Sequence, residues 1–237
     1  MKLTALLDAL FPAGHTVTVN GQSLTGTANT TNGPVTVLGT TDGAAIDHDI
    51  ALALAECVLD TVEHTPGQPL VFLVDTTGQA LSRQQELLCL NGTLAHLAQC
   101  VDLARRKGHP SIALVTEQAV SGGFLSFGLM ADRTYTLADA QVRVMDLKAM
   151  SRVTKIPHER LVELAGTSPI FAPGAENYLR MGGIEAIWAH PSPTLLEMAL
   201  AEMANDGGLE DQRMAKGLER GGRLMASQVA NAVMAAG

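Results

Sequence analysis

The hydrophobic positions of this chain fall first into short, continuous apolar runs. The two clearest cover residues 70–74 and 112–115, and every position in them is apolar. Runs of this length and composition predict strands that are buried on both faces, as in a parallel sheet. An alternating segment at 17–22, next to Asn-Gly, predicts a hairpin, and a β-branched run at 35–39 predicts another strand.

Between these runs, apolar residues recur every three or four positions. This spacing predicts helices over residues 1–11, 46–64 and 82–103, and Ser82 begins the third in a capping-box sequence. Short strands are predicted at 134–137 and 141–145. The last third reads as mostly helical, with breaks at 182–183 and 221–222.

Strand and helix alternate from residue 35 to residue 115, which predicts repeated βαβ crossovers. The strands at 70–74 and 112–115 should therefore be parallel, with their carboxyl ends at one edge of the sheet. Two predicted turns follow these strands, at 75–78 and 116–121. Ligands bind at this edge in open α/β sheets, so we expect both turns to face one pocket.

A helix with almost no polar side is predicted over residues 122–130, and it should lie inside the protein. The first N–H groups of a helix have no intrahelical partner and carry partial positive charge. Gly122 and Gly123 would let a ligand approach these N–H groups closely. The start of this helix is thus a candidate oxyanion site, although the two glycines could equally serve close helix packing.

The composition of the chain argues against several classes of function. The 237 residues are 46% apolar, only 3% aromatic, and carry a formal charge of −8, which argues against nucleic acid and anionic membrane as partners. Three separated cysteines and seven histidines without paired ligand spacing predict no metal site and no disulfide framework. Residues 1–12 do not read as a signal peptide, and no apolar segment reaches the roughly 18 residues of a membrane span. We therefore predict a cytoplasmic protein.

Four local sequences together carry a resemblance to a known family: VDTTG at 74–78, SGG at 121–123, MDLKAMSRVTKIP at 145–157 and ENYLRMGGIE at 176–185. They resemble the carboxyltransferase subunits of the crotonase-like superfamily, and most closely the gamma-subunit family of biotin-independent malonate decarboxylases. The likeness covers residues 35–200. Carboxyltransferases usually have a glycine-rich segment before Ser-Gly-Gly, where this chain has Gln118-Ala119-Val120, and this difference speaks against a biotin site.

The resemblance implies an α/β fold of the ClpP/crotonase type, a spiral of ββα units. We expect one domain over residues 1–237, with an N-terminal helix and hairpin at 1–34 and a helical C-terminal extension at 190–237. It also implies a homologous beta subunit as partner, in a heterodimer or a larger heteromer. An acyl carrier protein subunit would carry malonyl on a thioester arm similar to coenzyme A, with no cofactor on this chain itself and no biotin.

The implied reaction is the loss of CO2 from the malonyl thioester, which leaves an enolate that two sets of backbone amides would stabilise. We assign these amides to Gly122 and Gly123 and to Thr77 and Gly78. The residues expected beside the substrate are Ser121, Gln118 and Phe124.

Two other functions fit parts of the pattern. The chain could be a structural subunit that only completes the active site of its partner. It could also be a serine peptidase on the same fold, with Ser121 or Ser126 as nucleophile and His158 or another histidine as base. The peptidase is disfavoured because Ala119 occupies the first glycine position of the Gly-x-Ser-x-Gly elbow.

Overall fold

The strands form one mixed sheet in the computed structural model, which describes residues 2–168, 172–206 and 211–236. In chain order, the strands of the described part are β1 (Thr18–Asn20), β2 (Ser23–Thr30), β3 (Gly33–Thr40), β4 (Ala44–Ile46), β5 (Leu70–Gln79), β6 (Ser111–Val120), β7 (Arg133–Leu137), β8 (Gln141–Arg143) and β9 (Ala186–Trp188). Their spatial order is β1-β2-β3-β5-β6-β7-β9, while β4 pairs with the end of β5 and β8 with the end of β6.

The centre of the sheet is parallel, as the continuous apolar runs predict. The first three strands pair antiparallel, and all pairings from β3 to β9 are parallel. Leu70 of β5 lies opposite Ser111 of β6, and Val74 lies opposite Val115. The apolar residues of these two runs are at most 1% exposed, so they form the middle of the hydrophobic core.

Helices cover both faces of this sheet and make up most of the last third of the chain. The described helices are α1 (Leu3–Leu10), α2 (His48–His64), α3 (Arg83–Leu87), α4 (Leu90–Arg106), α5 (Ser121–Ser126), α6 (Leu147–Thr154), α7 (His158–Thr167), α8 (Ala175–Arg180), α9 (Pro193–Asp206), α10 (Arg213–Glu219) and α11 (Leu224–Ala236). None of the helices in the described part is both long and apolar enough to cross a membrane.

Three local predictions were wrong. The helix predicted over 82–103 is interrupted at Cys89, which has a left-handed φ of 64° and separates α3 from α4. The two turns predicted at the sheet edge are mostly strand, because β5 continues to Gln79 and β6 to Val120. The short strands β4 and β8 pair with these extensions and hold them in the sheet. Helix α5 consequently begins at Ser121, and it ends at Ser126 rather than at residue 130.

Arginine side chains join the C-terminal helices to the core. The guanidinium of Arg213 donates to the carbonyl oxygens of Leu129, at 2.7 Å, and Ala131, at 2.9 Å. Arg220 donates to the carbonyl oxygens of Leu179, at 3.0 Å, and Ile184, at 2.8 Å. Leu129 and Ala131 lie in the segment after α5, whereas Leu179 is in the last turn of α8 and Ile184 follows it. The two arginines therefore tie α10 and the residue after it to both segments.

Backbone also packs directly on backbone at this junction. A Cβ on Gly182 would lie 2.2 Å from the carbonyl oxygen of Arg213. Gly182→Ala should therefore destabilise the protein by about 3 kcal/mol or more, from overpacking added to left-handed strain, and should expose α10 and α11 to protease. Urea unfolding and limited proteolysis measure both effects. Gly221→Ala is the matched control, because Gly221 also has a positive φ of 72° but has open space around it. Equal losses in the two variants would contradict the packing argument.

Candidate functional site

The end of β5 and the start of α5 are in direct contact. A Cβ built on Gly123 would lie 2.8 Å from the carbonyl carbon of Gly78 and 2.9 Å from the hydroxyl of Thr76. One on Gly78 would lie 3.2 Å from the Cβ of Ser121. The prediction that the two glycine-bearing segments meet at one edge of the sheet is confirmed, and glycine is what allows them to lie so close.

The ladder of the sheet is irregular at this point. In the pairing of β4 with β5, Ala44 lies opposite Thr76 and Ala45 lies opposite Gly78, so Thr77 is an extra residue in β5. Opposite β6, the register passes from Val74 to Thr76 with a second shift. Bulges of this kind redirect side chains and often lie next to active sites. Thr77 is exposed, and its hydroxyl donates to the carbonyl oxygen of Gly43 at 3.0 Å.

Two of the four predicted amides already have acceptors within the chain. The N–H of Gly78 donates to the hydroxyl of Thr76 at 3.0 Å, and the N–H of Gly122 donates to Oε1 of Gln79 at 3.1 Å. The expectation that these amides are unpaired was wrong, because the side chains that reach them could not be placed from the sequence. Gln79 is long and flexible, so a ligand oxygen could replace its amide at Gly122.

The N–H of Gly123 donates to no acceptor outside its own helix within the described ranges. It is the third residue of α5, so it is too early in the helix for the usual bond within α5. Gly123 is buried, so its N–H is a candidate donor to a ligand atom that reaches the junction between β5 and α5.

The three residues expected beside the substrate lie in different settings. Ser121 is half-buried at the strand-to-helix junction and has a left-handed φ of 51°. Gln118 lies at the same edge, with its side-chain amide 3.6 Å from the position of a Cβ on Gly43. Phe124 is fully buried, and its ring packs near the ring of Tyr178 with centroids 6.4 Å apart. The side chain of Phe124 is part of the core and does not reach the edge.

Asp75 organises this edge and was not singled out from the sequence. Asp75 is only 6% exposed, and its carboxylate accepts the N–H of Gly43 at 2.8 Å and of Gln118 at 3.2 Å. It thus ties the β3–β4 turn and the end of β6 to β5. A carboxylate directly after the apolar run at 70–74 was the available signal, since an acid at such a position needs partners.

Burial raises the pKa of the Asp75 carboxyl above its ordinary value of 3.8, and the two N–H groups oppose this shift without cancelling it. The folded state therefore holds this proton more tightly than the unfolded state. Through this carboxyl, the free energy of unfolding should fall as the pH rises from about 3.8 towards the raised pKa. Above that pKa, its contribution should no longer change with pH. Urea unfolding across this range should show that decrease in the wild type and a shallower one in Asp75→Asn. Parallel profiles would contradict the assignment.

A cleft of about 550 Å³ lies on the opposite face of β5 from α5. Leu73 and Asp75 line it, whereas the neighbouring Val74 and Thr76 point towards α5. Among the described residues that line the cleft, Asp42, Asp75 and Glu117 are acidic and Lys2 is the one cation. A carboxylate 4 Å from a like charge is destabilised by about 4 kcal/mol near a protein surface. An anionic substrate is therefore better accommodated at the α5 junction than in this cleft.

The catalytic arrangement of a serine peptidase is not found among the described residues. The hydroxyl of Ser126 is buried and donates to the carbonyl oxygen of Gly123 at 2.9 Å. In the described ranges, no hydrogen bond joins a histidine to Ser121 or Ser126, and no group of histidines, cysteines and carboxylates is arranged to hold a metal ion. The arrangement offers backbone donors rather than a nucleophile.

Solved structures of carboxyltransferase type have a similar fold. A Pseudomonas malonate decarboxylase hetero-tetramer in complex with coenzyme A has a chain with a TM-score of 0.82 and 23% identity, over 98% of both chains. A Pseudomonas malonate decarboxylase MdcD-MdcE hetero-dimer gives a TM-score of 0.74 and 26% identity, over 94% of this chain and 98% of that one. Transcarboxylase 12S gives 0.69 and 18%, over 87% and 40%. The predicted crotonase-like, carboxyltransferase-type fold is confirmed.

The sequence itself is more specific. Residues 41–237 match the malonate decarboxylase gamma subunit family, MdcE. The chain belongs to this family, as the resemblance of its local sequences predicts. It is also 33% identical over 177 residues to the malonyl-S-ACP:biotin-protein carboxyltransferase MADD of Malonomonas rubra. That alignment covers 70% of this chain and 61% of the relative, so the chain spans less than two thirds of that protein.

Proposed function

We propose that this chain is one of two homologous subunits that together decarboxylate a malonyl thioester carried by an acyl carrier protein, leaving an acetyl thioester and CO2. The observation that carries this proposal is the contact of Gly123 with Gly78 in a member of the gamma-subunit family. The MdcD-MdcE hetero-dimer of Pseudomonas supports a heteromer as the working form. The carrier-borne substrate follows the name of the Malonomonas relative.

Backbone donors suit the electronic demand of this reaction. When the bond to the carboxylate breaks, its electron pair moves to the α carbon and is delocalised onto the thioester oxygen. A donor aimed at that oxygen binds the enolate more strongly than the ground state. One such donor typically lowers the activation barrier by about 3 kcal/mol. The N–H of Gly123 is the first candidate, and the N–H of Gly122 joins it if Gln79 turns away. A proton must then reach the α carbon to give acetyl.

Reconstitution tests this proposal. The chain is co-purified with its homologous partner subunit and supplied with malonyl thioester on the carrier protein. Release of CO2 and formation of acetyl thioester should require both subunits. Equal turnover by the partner subunit alone would remove the proposed catalytic role and leave a structural one.

Transfer of the carboxyl group to biotin is the second candidate, because the Malonomonas relative is named for it. Against it, β6 continues as a strand through Gln118, Ala119 and Val120, all paired with β8, and Ala119 is fully buried. Little backbone is therefore open for a biotin ring before Ser121. A labelled malonyl carboxyl group should appear as CO2, and its appearance on added biotin or biotin protein would favour the transferase instead.

A further inference from the structure

Helix α6 and its C-terminal residue carry a row of cations, Lys148, Arg152 and Lys155. They are spaced four and three residues apart, which puts them on one side of a helix, and all three are exposed. Within the described ranges, none of them forms a salt bridge with a carboxylate. On a chain with a formal charge of −8, this cationic face is an exception to the general surface charge.

The cationic face follows in sequence on a strand that borders the proposed site. Strand β8 pairs with the last residues of β6, from Gln118 opposite Gln141 to Val120 opposite Arg143. Helix α6 begins four residues later, where the carboxylate of Asp146 caps it by accepting the N–H of Ala149 at 2.7 Å. No residue of α6 is buried, although the helix packs against α7. Helix α6 therefore follows directly on the strand beside the α5 junction, and its side chains are accessible to an approaching protein.

Lys155 occupies an unusual position for its residue type. It ends α6 in the left-handed region, with a φ of 63°, where glycine is the usual residue. A lysine there adds a third charge to the row, and replacing it with glycine would remove the charge without disturbing the backbone. This position makes it possible to test charge separately from folding.

We propose that the Lys148–Arg152–Lys155 face is the docking surface for an acidic carrier protein that presents the malonyl thioester to the α5 junction. The inference rests on the proposed function and adds the location and charge of the docking surface. An acidic partner is repelled by the net charge of this chain and is attracted where cations are concentrated. Such complementarity mainly raises the rate of association and fixes orientation, and salt weakens it.

The test compares three substrates in the intact heteromer: malonyl on the carrier protein, malonyl-CoA, and the N-acetylcysteamine thioester of malonate. Arg152→Glu and Lys155→Gly should raise the KM for the carrier-borne substrate by about tenfold or more at low salt, with a smaller effect as salt rises. The kcat should not change, and the two small thioesters should be turned over as by the wild type. Lys107→Glu is the matched control, because this exposed cation ends α4 at the amino edge of the sheet.

Three outcomes would overturn the docking surface. The KM for the carrier-borne substrate could remain unchanged in both variants. The KM for malonyl-CoA could rise equally, which would show that the cations bind phosphates of the arm. The heteromer of Arg152→Glu could dissociate on gel filtration, which would assign the face to the partner subunit. A wild-type heteromer that turns over none of the three substrates refutes the proposed function itself and the docking with it, and this result differs from a defect confined to the variants.

Discussion

Gly123→Ala is expected to reduce malonyl-thioester decarboxylation by about 100-fold or more, since a donor displaced from the developing oxyanion loses most of its contribution. The added methyl group would lie 2.8 Å from the carbonyl carbon of Gly78 and 2.9 Å from its Cα. These are backbone atoms, so the contact can be relieved only by moving α5 away from β5. The kcat of the reconstituted heteromer measures the effect, and gel filtration shows whether the heteromer still forms.

Gly122→Ala is the control for this prediction. Both glycines lie in the first turn of α5, so alanine suits the backbone at either position. At Gly122, however, the nearest atom to the new Cβ is Oε1 of Gln79 at 3.1 Å, which is the end of a flexible side chain. We expect at most a few-fold loss in Gly122→Ala, because rotation of Gln79 costs little. A fully active Gly123→Ala heteromer would mean that this chain only supports the active site of its partner.

The parallel centre of the fold could be predicted because its strands are continuous apolar runs separated by amphipathic helices. The meeting of Gly78 with Gly123 followed from the same pattern, since parallel neighbours end at one edge. The family followed from the Asp-Thr-Thr-Gly and Ser-Gly-Gly sequences at these places. These features depend on residues that are local in sequence or on simple alternation.

The details of the edge could not be predicted, because they depend on side chains that meet across long separations. Asp75 joins Gly43 to Gln118, and neither contact can be predicted from the local spacing of hydrophobic residues. The same holds for Gln79, whose contact with Gly122 spans 43 residues. The extension of β5 and β6 through the predicted turns required knowing that β4 and β8 would pair with them. Propensity alone places turns at Thr-Thr-Gly, and tertiary pairing overrides it.

Gly39→Ala is expected to have the largest effect on stability. Gly39 lies in β3 opposite Leu73 of β5 and has a φ of 153°. A Cβ there would lie 1.9 Å from the carbonyl oxygen of Leu73 and 2.8 Å from its nitrogen, both in the centre of the sheet. The two strands would have to separate, and a loss above about 4 kcal/mol is a large part of the 5–15 kcal/mol that folds typically have. The urea midpoint and the soluble yield measure this loss.

Gly33→Ala separates the clash from the backbone strain, because Gly33 begins the same strand with a φ of 113° and has no atom within contact distance of its Cβ position. It should lose only the cost of an unfavourable backbone conformation, about 1–3 kcal/mol, and remain folded. The carboxyl end of β3 leads into the turn whose Gly43 amide is bound by Asp75. A partly folded Gly39→Ala protein should therefore also lose decarboxylation, whereas Gly33→Ala, at the far end of β3, should retain it. If both variants unfold at the same urea concentration, the approach of β3 to β5 at Leu73 is not as close as the geometry requires.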